Sequence, residues 1–380
     1  MKNLIFKILS VFLSSFIIYL LLFSYTYLNL HKKAPTHFNF LEEVIFHKKY
    51  SERIHHIRDN HAVKTFFQDN EVNDLLFNKI NNLDENKLTV LIQGDSWIEQ
   101  ITYGPDTDFH SFKMLREYGL KNKIEFISGG ISSFSPSLMN IQLDILEKDF
   151  SIFPDVLIAY IDQTDFGDEN CRYKNKKKYE NGKLISVEPE NYTNSLWDYT
   201  KVYELTIISK KYKSNIIKTF HIINFEIKHG FLRLSEKISE FIQDDKQIKC
   251  HFHTIENYLI NPDKSDIKYF SNVMDNYLTS IKEKKHIKKI IFVTFPHKKH
   301  FELNDVNQSI YKLNVSDLVN NAVKNNNDIM HINFSKILLN NSNFDHKNIW
   351  KDDDIHLNTI NHSNLFINNI LKELDNYLEK

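Results

Sequence analysis

The sequence predicts an α/β chain, a parallel β-sheet with helices on both faces, carried behind a membrane-crossing helix and interrupted by a helical insertion. Three observations carry that expectation. Short apolar, β-branched runs alternate with amphipathic segments from residue 87 to residue 378, as strand–helix–strand units with a parallel sheet require. Polar clusters follow the carboxyl ends of those runs, where open α/β sheets bind their ligands. Ile8 to Leu30 is an uninterrupted, uncharged and mostly apolar stretch, long enough to cross a hydrocarbon layer of ~30 Å as a helix.

The amino-terminal stretch comes first. Lys2 and Lys7 precede it, as in a signal peptide, but no small-x-small cleavage site follows and the apolar run exceeds a usual h-region. An uncleaved signal anchor over residues 1–34, spanning about 8–30, is therefore expected. Lys32 and Lys33 at its other end roughly balance the positive-inside bias. Short amino termini ahead of large domains stay inside, so the remainder is placed outside the cytoplasm, in a bacterial inner membrane with the domain in the periplasm.

Residues 35–86 are polar. Within them Val63, Phe66, Phe67, Val72, Leu75, Leu76 and Ile80 recur at helical spacing, which reads as a helical stalk or packing arm. The domain itself is expected over 87–380. Its candidate strands are Lys87 to Gln93, Lys123 to Ile127, Asp155 to Ile161, Lys288 to Phe295 and Ile329 to Phe334. Its candidate helices are Ser111 to Tyr118, Pro136 to Phe150, Val315 to Asn325 and Thr359 to Leu378. Between about 167 and 287 lies a segment too long for a loop, with helical periodicity over Tyr203 to Gln243 and Ser265 to Glu283, read as a helical insertion leaning over the site.

Composition narrows the function classes. In 380 residues a hydrophobic content of 42% supports a sizeable core. A net charge of −1 gives no global attraction to nucleic acid, so no nucleic-acid partner is expected. Only 8 glycines and 7 prolines amid abundant Lys, Asn and Ile point to an AT-rich bacterial coding bias. Cys171 and Cys250 are able to pair in an oxidising compartment, though nothing in the sequence brings them together.

Two short segments carry the chemistry. Gly94-Asp95-Ser96 ends the run Lys87 to Gln93, and Asp353-Asp354-Ile355-His356 precedes the last helix. A serine at a strand end is inert until a base takes its proton. His356 is the framed base and Asp353, three residues earlier, the group that orients it, with Asp354 the fallback. The blander readings are Ser96 as a helix cap, His356 as a loop histidine, and Asp352 to Asp354 as a solvated acidic loop.

The pair resembles the SGNH/GDSL hydrolase family, whose first block is a Gly-Asp-Ser turn and whose last is Asp-x-x-His before a carboxyl-terminal helix. Two further blocks extend the resemblance over residues 87 to 378. Phe126-Ile127-Ser128-Gly129-Gly130-Ile131-Ser132-Ser133 falls where the family's second block supplies a glycine N–H to the oxyanion hole, with Gly130 the match. Asp162-Gln163-Thr164-Asp165 stands for the third block, normally Gly-x-Asn-Asp; here Thr164 replaces the asparagine and Gln163 is the neighbouring amide. The resemblance implies a three-layer, flavodoxin-like parallel sheet and a serine esterase or acyltransferase. Ser96, Asp353 and His356 would form its triad, and Ser96, Gly130 and Thr164 or Gln163 its oxyanion hole. It implies no cofactor and no metal. His297 and His300 follow a strand but match no metal-ligand spacing.

The expected substrate is an acyl ester of cell-envelope carbohydrate, with water or a sugar hydroxyl as acceptor. The alternatives are a lipid or lysophospholipid esterase, and a catalytically weak binding or assembly protein that keeps the fold. The sequence indicates the membrane as a partner through the amino-terminal helix and names no protein partner.

Overall fold

The structure, a computed structural model, describes residues 2–29, 64–66, 72–74, 86–102, 110–187, 205, 207–208, 211–243, 250, 252–302, 309–326, 328–339, 349–350, 356–358 and 361–378. The chain forms two compact units: Met1–Lys49 with Tyr192–Lys249, and Tyr50–Asn191 with Cys250–Lys380.

The larger unit is built on a sheet whose strands are β1 (Lys64–Phe66), β2 (Val72–Asp74), β3 (Leu88–Gly94), β4 (Ile124–Gly130), β5 (Val156–Ile161), β8 (Lys289–Thr294) and β9 (Ile329–Asn333), with β6 (Lys177–Glu180) and β7 (Lys183–Val187) paired apart from it. The order is β2-β1-β4-β3-β5-β8-β9. From β4 to β9 every neighbouring pair is parallel. Taken in chain order, those five run second, first, third, fourth, fifth, the flavodoxin-like winding that places a ligand crevice where the order reverses. All of β5 is buried, as a strand covered on both faces must be.

The covering helices form two layers. α2 (Ser96–Glu99), α3 (His110–Asn122), α10 (Phe334–Leu339) and α11 (Asn368–Leu378) lie on one side, where Phe112, Leu115, Phe334, Phe366, Ile370 and Leu374 pack on Ile92, Ile158 and Val293. On the other side α4 (Pro136–Phe150) and α8 (Lys264–Glu283) meet the opposite face. There Tyr277 Oη donates to Gln93 Oε1 at 2.7 Å, and Gln93 Nε2 donates to Met139 O and Gln142 Oε1, both at 2.8 Å. Pro136 starts α4 where its missing N–H costs nothing, and Asp263 caps α8 by accepting the Ser265 amide. α9 (Val315–Val323) is capped likewise by Asn314.

The five expected strands and the helices at 111–118, 136–150 and 315–325 are present within a few residues. Two expectations are corrected. Within the expected helical stalk, the described residues are β1 and β2, antiparallel to each other, with β1 antiparallel to β4. The edge of β4 offers unpaired N–H and C=O groups, and pairing them outweighs a weak helical period in a segment with Asp69-Asn70 at its centre.

The insertion, secondly, is not all helix. β6 and β7 form a hairpin around Asn181 and Gly182, whose φ values of 50° and 78° are those of a type I′ turn, the geometry for which Asn-Gly is suited. α7 (Phe252–Ile260) follows later, and α8 belongs to the sheet's own helical layer rather than to the insertion. Cys171 and Cys250 are disulfide-bonded, with Cα atoms 5.8 Å apart.

The expected last helix is present and runs without interruption from residue 361 to Leu378. A π-helical turn, His362–Ile367, precedes α11. His362 is fully buried and held at both nitrogens. Its Nδ1 accepts from Ser111 Oγ at 2.7 Å and its Nε2–H donates to Trp97 O at 3.1 Å.

In the smaller unit, α1 (Lys2–Leu28) contains a stretch, Leu9–Leu28, long and apolar enough to cross a membrane. It packs beside α6 (Asn215–Gln243). Ile222 of α6 is buried against Leu205.

Candidate active site

β3 ends at Gly94, and the chain turns at once into α2. Asp95 makes that turn, its Oδ1 accepting the Trp97 amide at 3.0 Å, so it acts as the helix cap and leaves Ser96 as the first helical residue. Ser96 is half-buried between buried neighbours. Trp97 anchors the helix beneath it, stacked 5.2 Å from Tyr160 and tilted 5.2 Å from Phe295, while His362 holds its carbonyl. On the far side, Glu99 Oε2 accepts the Ser132 amide at 2.9 Å and the Ser132 hydroxyl. The nucleophile's helix is thus fastened to β5, β8, the turn after β4 and the carboxyl-terminal π-turn.

Ser96 Oγ lies 2.8 Å from His356 Nε2, across 260 residues of sequence. The isolated bridge between Trp350 and Leu357 fixes the chain next to His356, and the His356 ring sits 6.1 Å from Trp97. Geometry alone makes this a hydroxyl–imidazole pair able to transfer a proton. Asp353 and Asp354 lie outside the described residues.

The second block places Gly130 at the end of β4, opposite Gly94 of β3. A Cβ on Gly130 would meet the Glu99 amide nitrogen and the Ile98 carbonyl carbon. The glycine therefore lets α2, and with it Ser96, approach the sheet. Ser133, three residues on, has φ 62°; its hydroxyl accepts from Arg172 Nη1 at 2.9 Å and its carbonyl from Tyr173 Oη at 2.7 Å.

The third block is committed elsewhere. Gln163 Nε2 donates to Phe295 O at 3.0 Å and its Oε1 accepts the Val315 amide at 2.9 Å, so this carboxamide clamps β5 to β8 and α9. Thr164, on the short helix α5 (Gln163–Asp168), turns its amide and its hydroxyl to the Asp162 carboxylate. Thr164 thus spends its amide and hydroxyl hydrogens on Asp162, while Gln163 spends one Nε2 hydrogen on Phe295 O.

Behind the serine lie Asp95, Asp162 and Asp165, all buried. Burial pushes Asp95 well above the usual carboxylate range, reinforced by Asp162 and then Asp168. Asp165 is pushed well up by burial and by the charges of Asp95 and Asp162; its Oδ2 accepts the Asp162 amide at 2.9 Å and its Oδ1 has no partner among the described residues. Asp162 is also raised by burial, opposed by its Thr164 hydrogen bonds and by the His356 charge. Carboxyls so placed favour the neutral acid.

His297 and His300 follow β8. Burial, with His300 and the nearby lysines, lowers His297 to about 3, keeping it neutral. Its Nδ1 accepts the Lys299 amide at 3.1 Å, so its proton rests on Nε2, a buried donor without a partner among the described residues. His300 uses both nitrogens structurally, Nδ1 accepting the His297 amide and Nε2–H donating to Leu313 O, each at 3.0 Å. Among the described residues no group of three or more His, Cys, Asp or Glu is placed to hold a metal.

The sequence offered no signal for His362, Ser111 or the Glu99–Ser132 contact, because each depends on residues that meet only in the folded chain.

No family model matches the chain, and no curated protein does. Among solved structures it is similar to an acetyl xylan esterase, at 13% identity and TM-score 0.38, over 76% of this chain and 100% of that one. It is also similar to a catalytic mutant of the acetylxylan esterase Axe2 from Geobacillus stearothermophilus, at 11% identity and TM-score 0.36, over 76% of this chain and 94% of that one. The fold assignment rests on the strand order described above.

Proposed function

We propose that the protein is a membrane-anchored serine esterase or O-acyltransferase that opens an acyl ester, with acetyl as the expected acyl group, on carbohydrate of the cell envelope. The single observation that carries the enzymatic part is the 2.8 Å contact between Ser96 Oγ and His356 Nε2 at the carboxyl edge of a parallel sheet. Ser96 Oγ attacks the ester carbonyl carbon while His356 Nε2 takes its proton. The tetrahedral oxyanion is held by the N–H groups of Ser96 and Gly130. The C–O bond to the sugar breaks as His356 returns the proton to the departing oxygen, leaving an acyl-serine. Water or a second hydroxyl then repeats the sequence in reverse. Asp353 is assigned the orientation of the imidazole.

Extracytoplasmic placement is supported by two independent features. The stretch Leu9–Leu28 has the length and apolarity of a membrane span, and the Cys171–Cys250 bridge belongs to an oxidising compartment. The carbohydrate assignment follows from that placement.

A fluorophosphonate probe tests the chemistry. Labelling of the full chain that disappears in Ser96→Ala supports the enzyme. Absence of labelling in folded protein assigns the chain instead to a binding or assembly role, a reading favoured by the commitment of Gln163 and Thr164 to the fold. Faster turnover of acetylated sugars than of long-chain esters supports the substrate class; the opposite order makes it a lipid esterase.

A further inference from the structure

We infer that α6 lies in the membrane interface, its exposed apolar stripe embedded in the lipid leaflet beside α1. The inference rests on the reading of α1 as a membrane span. Ile216, Ile217, Phe220, Ile227, Phe231 and Leu234 are all exposed. At ~100° per residue they fall in one sector about 100° wide, the apolar face of an amphipathic helix. Phe231 is 69% exposed and Ile216 62%, values that six large apolar side chains on one face do not keep in water without a partner.

The other side of α6 is already occupied. Thr219, Ile222 and Ile223 are buried within the smaller unit, so the stripe is what remains after the helix has packed. Its covering is identified by the helix next to it. α6 packs against α1, and the covered positions of α1, Tyr19 and Phe23 half-buried and Thr26 buried, all lie in the carboxyl-terminal half of the span Leu9–Leu28. A helix that touches this half of a membrane-crossing segment, with an apolar face left open, has acyl chains as its next neighbour.

α6 does not cross the bilayer itself. Lys218, Glu226 and Lys228 punctuate it, and among the described residues only Leu9–Leu28 has the composition of a span. Mixed charge on one face and large apolar side chains on the other describe a helix lying in the plane of the interface. Lys228, at the margin of the stripe, has a stem long enough to reach the headgroups. The mixed charge also makes apolar burial, rather than attraction to anionic lipid, the source of binding.

The test uses the full chain in phosphatidylcholine vesicles. Cys171 and Cys250 are joined, so single introduced cysteines carry a fluorescent label: Phe220→Cys or Phe231→Cys on the stripe, Ile17→Cys in α1, and Lys121→Cys on α3 as an aqueous reference. Labels at 220 and 231 are expected to resist iodide quenching roughly fivefold better than the label at 121, and to be quenched by nitroxides on the acyl chains. Iodide access equal to that at 121, with Ile17 shielded by lipid, overturns the inference and leaves the anchor standing. Iodide access at Ile17 as well overturns both. Shielding from iodide without quenching by lipid nitroxides assigns the stripe to protein contact and also overturns it.

Discussion

His362 Nε2 donates to the carbonyl of Trp97, so the residue after the nucleophile is held by the π-turn that leads into the final helix. Replacing His362 with leucine removes its hydrogen bonds to Ser111 Oγ and to the Trp97 carbonyl in a buried site. The expected loss of stability is ~1–3 kcal/mol, together with a fall in kcat. Chemical denaturation and esterase kinetics on the same preparation check both.

Gly130→Ala addresses the approach of α2 to the sheet. The new Cβ meets backbone of Glu99 and Ile98, which cannot move aside as a side chain can. The variant is expected to fold with a loss of about 1–3 kcal/mol and to lose most fluorophosphonate labelling, because displacement of α2 carries Ser96 with it. Labelling at the wild-type rate would show that the helix does not need this close approach.

Reduction of Cys171–Cys250 opens a loop with a sequence separation of 79 residues. Loop-closure entropy gives about 4 kcal/mol for a loop of that length. Thermal melts with and without reductant, and of Cys171→Ser, should show a lower Tm for the open forms. An unchanged Tm would mean that the contacts of α7 alone hold the two ends together.

Stability should fall on the acid side through His331, whose pKa burial lowers from 6.5 to about 4. The unfolded chain binds the proton first, so the contribution is complete above pH 6.5 and is lost as pH falls toward about 4. Asp165 works in the other direction. Its folded pKa is raised, so its contribution is complete below ~3.9 and is lost as pH rises. Asp165→Asn removes that loss, and its Tm should exceed that of the wild type by an amount that grows from pH 4 to pH 7. A constant difference across that range would contradict the buried-acid description.

The frame of the molecule was legible because the sheet is buried on both faces. β3, β5 and β8 are largely apolar runs, the Ser96 segment follows a strand end, and the His356 segment precedes the last helix. Asn181-Gly182 was an available hairpin signal, submerged in a segment dominated by helical periodicity. The commitments of Gln163 and Thr164 were not legible, since they depend on Phe295, Val315 and Asp162 lying nearby. Nor was the π-turn at His362, because its hydrogen-bond partners lie some 250 positions away.

Trp97 gives the molecule an optical handle on its own chemistry. The chain has three tryptophans; Trp97 and Trp350 are buried, and Trp97 lies 6.1 Å from the His356 ring and 6.0 Å from Trp350. An imidazolium at ~6 Å interacts with an indole ring and quenches its emission, whereas neutral imidazole does so weakly. Ultraviolet emission should therefore report the protonation of His356 directly, without a dye or a substrate. Proton uptake during acylation would then register as a transient dimming, timed on the enzyme itself rather than inferred from product.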